Sequence, residues 1–192
     1  MFKKILIALV VLIGGLAAFV AAQPSTFRIE RSTTLPAPAE IAFPLVNDFH
    51  GWARWSPWAK LDPNQKTTYE GAASGTGAIQ YWTGNDDVGE GRMTITESRA
   101  NEFIGIKLEF IRPFASTNQT EFTFTPAGNE VKVNWAMHGE NNFMSKAFGL
   151  FMDMDAMIGK DFEKGLAALK LAAEADAKKA AEAAPAAAEA AE

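Results

Sequence analysis

The segment Asp48-Phe-His-Gly-Trp-Ala-Arg-Trp-Ser-Pro-Trp-Ala-Lys-Leu-Asp62 holds three of the five tryptophans of this 192-residue chain, at Trp52, Trp55 and Trp58. Such large, rigid aromatic surface must either pack into a core or wall an apolar cavity. A spacing of three places the rings on neighbouring but drifting positions of a helix, so we expect unequal burial. We predict that Trp55 contacts the interior of a cavity, whereas Trp52 and Trp58 serve as packing.

The sequence on either side of the tryptophans predicts an antiparallel sheet. Residues 27–35 alternate apolar and polar side chains, which indicates a first strand, and Pro38 then favours the start of a short helix. The tryptophan segment itself is predicted to be a second short helix. About six strand-like pieces follow between residues 65 and 137, separated by turn residues. Because the connections between these pieces are short, we expect antiparallel pairing.

One amphipathic helix of about 28 residues is predicted after the strands, long against the usual ~11–12. Its apolar residues recur at helical spacing as Phe143, Ala147, Leu150, Phe151, Met154, Ile158, Phe162, Leu166 and Leu169. A long helix laid across a curved antiparallel sheet covers the concave apolar face, and the two short helices close one end. The predicted fold class is α+β with helix-grip architecture, in which about six to seven strands wrap on one long C-terminal helix.

The two ends of the chain differ from its central part. Residues 5–22 contain no polar side chain and follow Lys3 and Lys4, which predicts a membrane anchor or a signal peptide cleaved after Ala22. We favour a single-pass anchor in the cell membrane; the alternative is export to the periplasm after cleavage. Both place the domain on the extracytoplasmic side. Residues 172–192 predict an alanine- and glutamate-rich solvated tail, interrupted at Pro185, so the predicted divisions are 1–24, 25–171 and 172–192.

Composition and motifs restrict the chemistry that the chain can carry. The net charge is −5 and no Lys/Arg-rich run is present, so we expect no nucleic-acid partner. The sequence has no cysteine, which excludes disulfides and thiolate chemistry. Neither His50 nor His138 has a third ligand type at metal spacing, so we predict no metal site. Without a phosphate loop or a nucleophile elbow, we assign no cofactor and no catalytic residue. The oligomeric state is left open.

Several stretches between residues 27 and 171 match one known pattern. They are Arg31-Ser, Pro38 with Ile41-Ala-Phe-Pro44, Asn47-Asp-Phe49, the tryptophan run, Gly91-Arg-Met93, Phe110-Ile-Arg-Pro-Phe114, Phe151-Met-Asp-Met154 and Gly159-Lys-Asp-Phe-Glu163. On these residues the sequence resembles the START-like, or SRPBCC, superfamily, and in particular its bacterial polyketide cyclase/dehydrase group. The resemblance implies an internal cavity between sheet and long helix that often holds a lipid-like, polyketide-like or other apolar ligand.

We therefore predict that the domain binds a small apolar or amphipathic ligand in this cavity. The residues predicted to line it are Trp55, Tyr81, Trp82, Phe110, Phe122, Phe124, Trp135, Phe151, Met154 and Ile158. Two alternatives stay open. One is a cyclase, dehydratase or hydrolase acting on an apolar substrate, which requires an Asp, Glu or His pointing into the cavity. The other is a non-catalytic envelope protein that binds another protein through an exposed apolar patch.

Overall fold

Seven strands form one curved antiparallel sheet in the computed structural model, which describes residues 1–189 of the chain. The strands are β1 (Thr26–Leu35), β2 (Lys66–Gly71), β3 (Ala78–Thr83), β4 (Glu90–Arg99), β5 (Phe103–Arg112), β6 (Ser116–Ala127) and β7 (Glu130–Glu140). Their order across the sheet is β1-β7-β6-β5-β4-β3-β2. Strands β2 to β7 therefore form a meander, and β1 pairs with β7 at one edge. With the helices described next, the sheet confirms the predicted helix-grip fold.

Within residues 1–189, four α-helices and one 3₁₀ helix accompany the sheet. They are α1 (Phe2–Ala21), α2 (Ala39–Asn47), the 3₁₀ helix Phe49–Arg54, α3 (Phe143–Gly149) and α4 (Met154–Glu189). Pro38 stands immediately before α2, where its missing N–H costs no hydrogen bond. Asp48 caps the start of the 3₁₀ helix, because its carboxylate accepts a hydrogen bond from the amide of His50 at 2.9 Å.

The predicted single helix after the strands is in fact two helices, so the prediction of one continuous element is wrong. Helix α3 ends at Gly149 and α4 begins at Met154. The Asp153 carboxylate accepts a hydrogen bond from the amide of Ala156 at 2.9 Å and so caps the start of α4. This local capping interaction decides the boundary, although the apolar periodicity continues through it.

Helix α4 also extends further than its apolar stripe. Ala172 and Ala173 are buried at 8% and 0% exposure, and Arg54 pairs with Asp176 at 2.7 Å. The predicted lack of packing after residue 171 is therefore wrong for this part, because alanines let the helix lie close to the domain. The helix is also continuous across Pro185, where an interruption was predicted, within an alanine-rich sequence that favours helix. Residues 190–192 of the predicted tail lie outside the described residues.

The main core lies between the concave face of the sheet and helices α2 and α4. Its fully buried side chains include Val46, Ile104, Ile106, Phe122, Val133, Phe162 and Leu169. In β3, in the first half of β4 and in the middle of β6, buried side chains alternate with more exposed ones, as the two-residue period of a strand requires.

An ion-pair cluster joins β1 to the beginning of α4. The Arg31 guanidinium lies 2.9 Å from the Asp155 carboxylate and 3.0 Å from that of Glu163. Hydrogen bonding to Arg31 lowers the pKa of Asp155 below its usual value, and the two carboxylates raise the pKa of Arg31. Gly159 leaves the space that the guanidinium occupies, because a Cβ atom there would collide with it. Two of the sequence stretches that carry the resemblance thus meet at this cluster.

Helix α1 is long and apolar enough to cross a membrane. Its most apolar 18-residue window has a mean hydropathy of 2.6, and 6% of that window is buried against the rest of the molecule. Only the last turn contacts the domain: Val20 is 4% exposed, and the Lys146 ammonium donates a hydrogen bond to the Ala21 carbonyl at 3.0 Å. The end of α1 therefore lies beside α3.

Candidate functional site

A cavity of about 520 Å³ opens between the sheet, the tryptophan segment and the first turns of α4. This volume is ordinary for a small-molecule site, since such sites span roughly 300–1,000 Å³. Most of the wall is apolar and comes from Phe49, Trp52, Trp58, Trp82, Met93, Leu108, Phe110, Trp135, Met137, Met157, Ile158 and Phe162. The cavity thus lies between the sheet and α4.

Four of the ten residues predicted to line the cavity do lie on its wall. They are Trp82, Phe110, Trp135 and Ile158. Trp82 and Phe110 meet edge to face with ring centroids 5.9 Å apart, and they form one side of the cavity. Their contact with a ligand stays a prediction.

Three predicted residues are buried but lie behind the wall. Trp55 is 1% exposed, Phe122 packs against it at 5.9 Å, and Phe124 packs against Phe43 at 5.3 Å. For the tryptophans the prediction is reversed, because Trp52 and Trp58 line the cavity and Trp55 packs beneath them.

The cause of this reversal is the end of α2. The last carbonyls of a helix lack partners within the helix and need donors from elsewhere. The indole N–H of Trp52 donates to the Val46 carbonyl at 2.9 Å, and that of Trp55 donates to the Leu45 carbonyl at 2.8 Å. These two bonds fix both rings against α2, with Trp55 on the inner side.

The other three predicted residues face away from the cavity, so their placement on its wall is wrong. Tyr81 lies on the opposite face of β3, where the Arg92 guanidinium covers its ring at 5.9 Å. Since adjacent strand residues point to opposite faces, Tyr81 and Trp82 cannot both line the cavity. Phe151 and Met154 are 86% and 40% exposed, because they lie where the helical structure is interrupted between α3 and α4.

Two glycines provide the space that two aromatic rings of the cavity wall occupy. At Gly91 a Cβ atom would collide with the Trp82 ring, so glycine lets that ring lie flat on β4 while its N–H donates to the Val88 carbonyl at 3.0 Å. At Gly165 a Cβ atom would lie 2.8 Å from the Trp135 ring. The backbone of α4 can therefore approach this ring closely.

Trp135 forms the back of the cavity. Its ring stacks on Phe162 with centroids 4.0 Å apart and an interplanar angle of 7°. Its N–H donates to the Thr120 hydroxyl at 2.9 Å, and that hydroxyl donates to the Ala136 carbonyl at 2.9 Å. The tryptophan therefore shows the cavity an apolar ring face, because its polar atom is satisfied within the protein.

Polar residues of the wall were missed in the sequence. Gln80 is 9% exposed and lies on β3, two residues before Trp82, so strand alternation could have identified it. Asp62 is 7% exposed, and its carboxylate accepts hydrogen bonds from the amides of Asn64 and Asn85 at 2.8 Å. Asp62 thus holds two loops together at the rim of the cavity. Asp161 reaches the wall from α4 and pairs with Lys164 at 2.8 Å.

The ionisable groups around the cavity give no assembled catalytic constellation. Tyr69 lines the rim, and burial together with the nearby Asp48 carboxylate raises its pKa. Its ring stacks on His50 at 4.0 Å. Within residues 1–189, no group of three His, Asp or Glu side chains is arranged to hold a metal ion.

A second depression, of about 730 Å³, lies on the outside of the sheet. It is lined by Thr26, Phe27, Arg28, Thr117, Asn118, Gln119, His138, Gly139 and Glu140. Although its volume is larger, it is a broad groove open to solvent, with the polar side chains of Arg28, His138 and Glu140 along it. An enclosed apolar wall is what binds small molecules, so the 520 Å³ cavity is the candidate site.

Comparisons with known proteins agree with this architecture. A family model described as "Polyketide cyclase / dehydrase and lipid transport" matches residues 26–174. No curated protein matches the sequence.

Solved structures of similar shape include a protein from Thermobifida fusca, which is 21% identical, covers 74% of this chain and 90% of its own, and has a TM-score of 0.56. The Zhui aromatase/cyclase from a Streptomyces species is 13% identical over 78% of this chain and 94% of its own, with a TM-score of 0.56. Ara h 8.0201 is 11% identical over 78% and 99%, with a TM-score of 0.56. At these identities the likeness shows the fold alone.

Proposed function

This chain belongs to the family described as polyketide cyclase/dehydrase and lipid transport, and on that premise we propose that its domain binds one small apolar or amphipathic molecule in the 520 Å³ cavity. The observation that carries the proposal is the aromatic wall, in which the N–H groups of Trp52, Trp82 and Trp135 all bond to protein acceptors. The rings therefore offer apolar surface to a ligand. Burial of ligand surface there stabilises the complex by roughly 25 cal/mol per Å² before ordering costs.

The size of the cavity limits the ligand. At about 30 Å³ for each water-sized group, a volume of about 520 Å³ holds roughly 17 such groups. That corresponds to a medium-chain lipid or a short polyketide.

We further infer that α1 is retained as a membrane anchor. The candidate cleavage stretch at residues 20–22 is helical up to Ala21, with Val20 buried and the Ala21 carbonyl bonded to Lys146. Val20 and Ala21 are thus part of the folded domain's contacts, which supports retention of α1. The intact protein has a mass of 20.8 kDa, and mass spectrometry of the membrane-extracted protein would show it. Loss of residues 1–22 would contradict the anchor.

An exposed apolar patch supports the same arrangement. It consists of Phe143, Met144, Phe148, Phe151 and Met152, each at least 45% exposed. Because α3 contacts the end of α1, the patch lies at the end of the domain from which the anchor leaves. A bilayer around α1 would cover the patch and remove this surface from water.

The patch also leads towards the cavity. Met157 is 45% exposed and follows the patch by a few residues, and it lines the cavity as well. An apolar ligand could therefore pass between bilayer and cavity along apolar side chains. This supports a ligand drawn from the membrane.

Co-purification tests ligand binding directly. The full chain would be reconstituted in nanodiscs of one synthetic phospholipid, so that any other apolar molecule found by mass spectrometry came with the protein. We expect such a molecule with the native protein. Ile158→Trp places a larger ring at the half-buried cavity wall and should remove it, whereas Lys160→Trp on the exposed face of α4 should not. An empty native protein, or the same molecules with Ile158→Trp, would contradict the proposal.

A further inference from the structure

One residue of the cavity wall has a buried polar atom without a hydrogen-bond partner. The side chain of Gln80 is 91% buried, and its Oε1 atom accepts no hydrogen bond from any residue of the described chain. It is the one such side-chain atom found within that part of the chain. A buried amide oxygen without a donor destabilises a protein, so such atoms are rare in native structures.

The neighbouring polar groups do not share this condition. The Thr120 hydroxyl accepts from Trp135 and donates to the Ala136 carbonyl, and the Asp62 carboxylate accepts two backbone amides. The Gln65 amide, which also lines the cavity, donates to the Thr67 hydroxyl at 3.2 Å. Gln80 therefore stands out from these neighbours, because it lines the cavity and has a buried acceptor without a donor.

The charge of the cavity wall limits which ligand group can lie beside Gln80. Three carboxylates line the cavity, those of Asp62, Asp87 and Asp161, and no Lys, Arg or His is among the described residues that line it. An anionic head group would be repelled by these carboxylates, and no cationic side chain among the described wall residues would offset that repulsion. A neutral hydrogen-bond donor avoids this cost.

We propose that Gln80 is a ligand-binding residue, and that the ligand is a neutral apolar molecule with a hydroxyl or amide N–H that donates to the Gln80 Oε1 atom. This rests on the proposed function, since it concerns the same cavity. It adds a polar specificity to an otherwise apolar site. Carboxylates and phosphates are excluded as the group beside Gln80.

Three probes of equal chain length separate the possibilities. They are 1-decanol, its methyl ether, which keeps the oxygen but lacks the donor, and decanoate. Binding to the full chain in nanodiscs would be followed through the fluorescence of the cavity tryptophans. A net hydrogen bond is worth about 1 kcal/mol, which corresponds to about a fivefold difference in Kd. We expect decanol to bind about fivefold more tightly than the ether, and decanoate to bind most weakly.

Gln80→Met keeps the length of the side chain and removes the acceptor. This variant should bind decanol and the ether with equal affinity. The matched control is Gln119→Met, the same substitution on β6 where the side chain faces away from the cavity. That control should keep the fivefold preference. In the ligand-free state Gln80→Met should raise the Tm by a few degrees, because an unpaired buried amide is removed.

The outcomes distinguish the two proposals. Equal binding of decanol and ether by the native protein would overturn the role of Gln80 and leave the ligand cavity intact, since a water molecule would then satisfy the amide. Tightest binding of decanoate would overturn the neutral ligand class. If none of the three probes binds, both proposals fail.

Discussion

The helical layer contains two apolar stretches with the same helical periodicity, one buried against the sheet and one exposed. In the first half of α4, Phe162, Leu166 and Leu169 are at most 3% exposed. In and after α3, Phe148 and Phe151 are 48% and 86% exposed. The comparison teaches that a helical stripe reports an apolar face but not what covers it. For the first stretch the cover is the sheet, and for the second we propose the bilayer.

The largest difference between the two stretches is expected in stability, when one phenylalanine of each is replaced by alanine. Phe162→Ala removes the ring stacked on Trp135 and leaves a cavity in the core, so we expect the free energy of unfolding to fall by about 3–5 kcal/mol. Phe151→Ala should change it by less than about 0.5 kcal/mol, because the ring touches little of the protein. Urea unfolding in mild detergent, followed by tryptophan fluorescence, measures both. Comparable losses would mean that the α3 stretch is also core.

The lipid contact of the second stretch can be tested with a single label. The sequence has no cysteine, so Phe151→Cys carries one dye and no background. In nanodiscs that contain a lipid-borne quencher, we expect strong quenching of this label. A label at Asn129→Cys is the control. Residue 129 lies in the β6–β7 turn, beside the far end of the ten-residue strand β1 and so about 33 Å from the anchor. Equal quenching at both sites, or none at 151, would contradict the membrane contact.

Low pH should lower the stability of the domain by protonating the carboxylates of the ion pairs on either side of the packed stretch of α4. Arg31 and Arg54 lower the pKa of Asp155 and Asp176, respectively. Carboxyls with a depressed folded pKa stabilise the fold above their unfolded pKa of about 3.9, and this contribution is lost as the pH falls below it. We expect the urea midpoint to be constant near neutral pH and to fall below about pH 4. In Arg31→Met and Arg54→Met the fall should be smaller. An unchanged acid profile in both variants would show that other carboxyls cause it.

The smallest effect is expected for Gly159→Ala, at the junction of the two stretches. The added methyl group displaces the Arg31 guanidinium from Asp155. Alanine favours a helix over glycine by about 1 kcal/mol, and this gain offsets the lost ion pair. The free energy of unfolding at neutral pH should therefore change little, while the acid dependence becomes that of Arg31→Met. A large destabilisation would mean that Arg31 holds α4 on β1 more firmly than an exposed pair does.

Most of the fold could be predicted from the sequence because its signals are local. Alternation in β5 and the turn residues before β7 give the meander, and the proline before α2 gives the helix start. The break at Asp153 was missed because an apolar period spans it, although an aspartate cap is itself a local signal.

The cavity wall was less predictable, for two different reasons. Strand alternation excludes Tyr81 and selects Gln80, so the sequence held that information. The spacing of the tryptophans could not show that Trp52 and Trp58 line the cavity while Trp55 packs behind them. It depends on which carbonyls at the end of α2 accept the indole N–H groups, and that is a tertiary arrangement.

The pairing of β1 with β7 has a mechanical consequence. Ten residue pairs join these strands, from Thr26 opposite Glu140 to Leu35 opposite Val131. Since α1 precedes β1 almost directly, tension between bilayer and domain would act along the axis of β1. The inter-strand hydrogen bonds lie across that axis, so they would bear the force together rather than open one by one. With α1 held in a bilayer, as we propose, the edge strand would attach the domain to it in a way that resists pulling by shear.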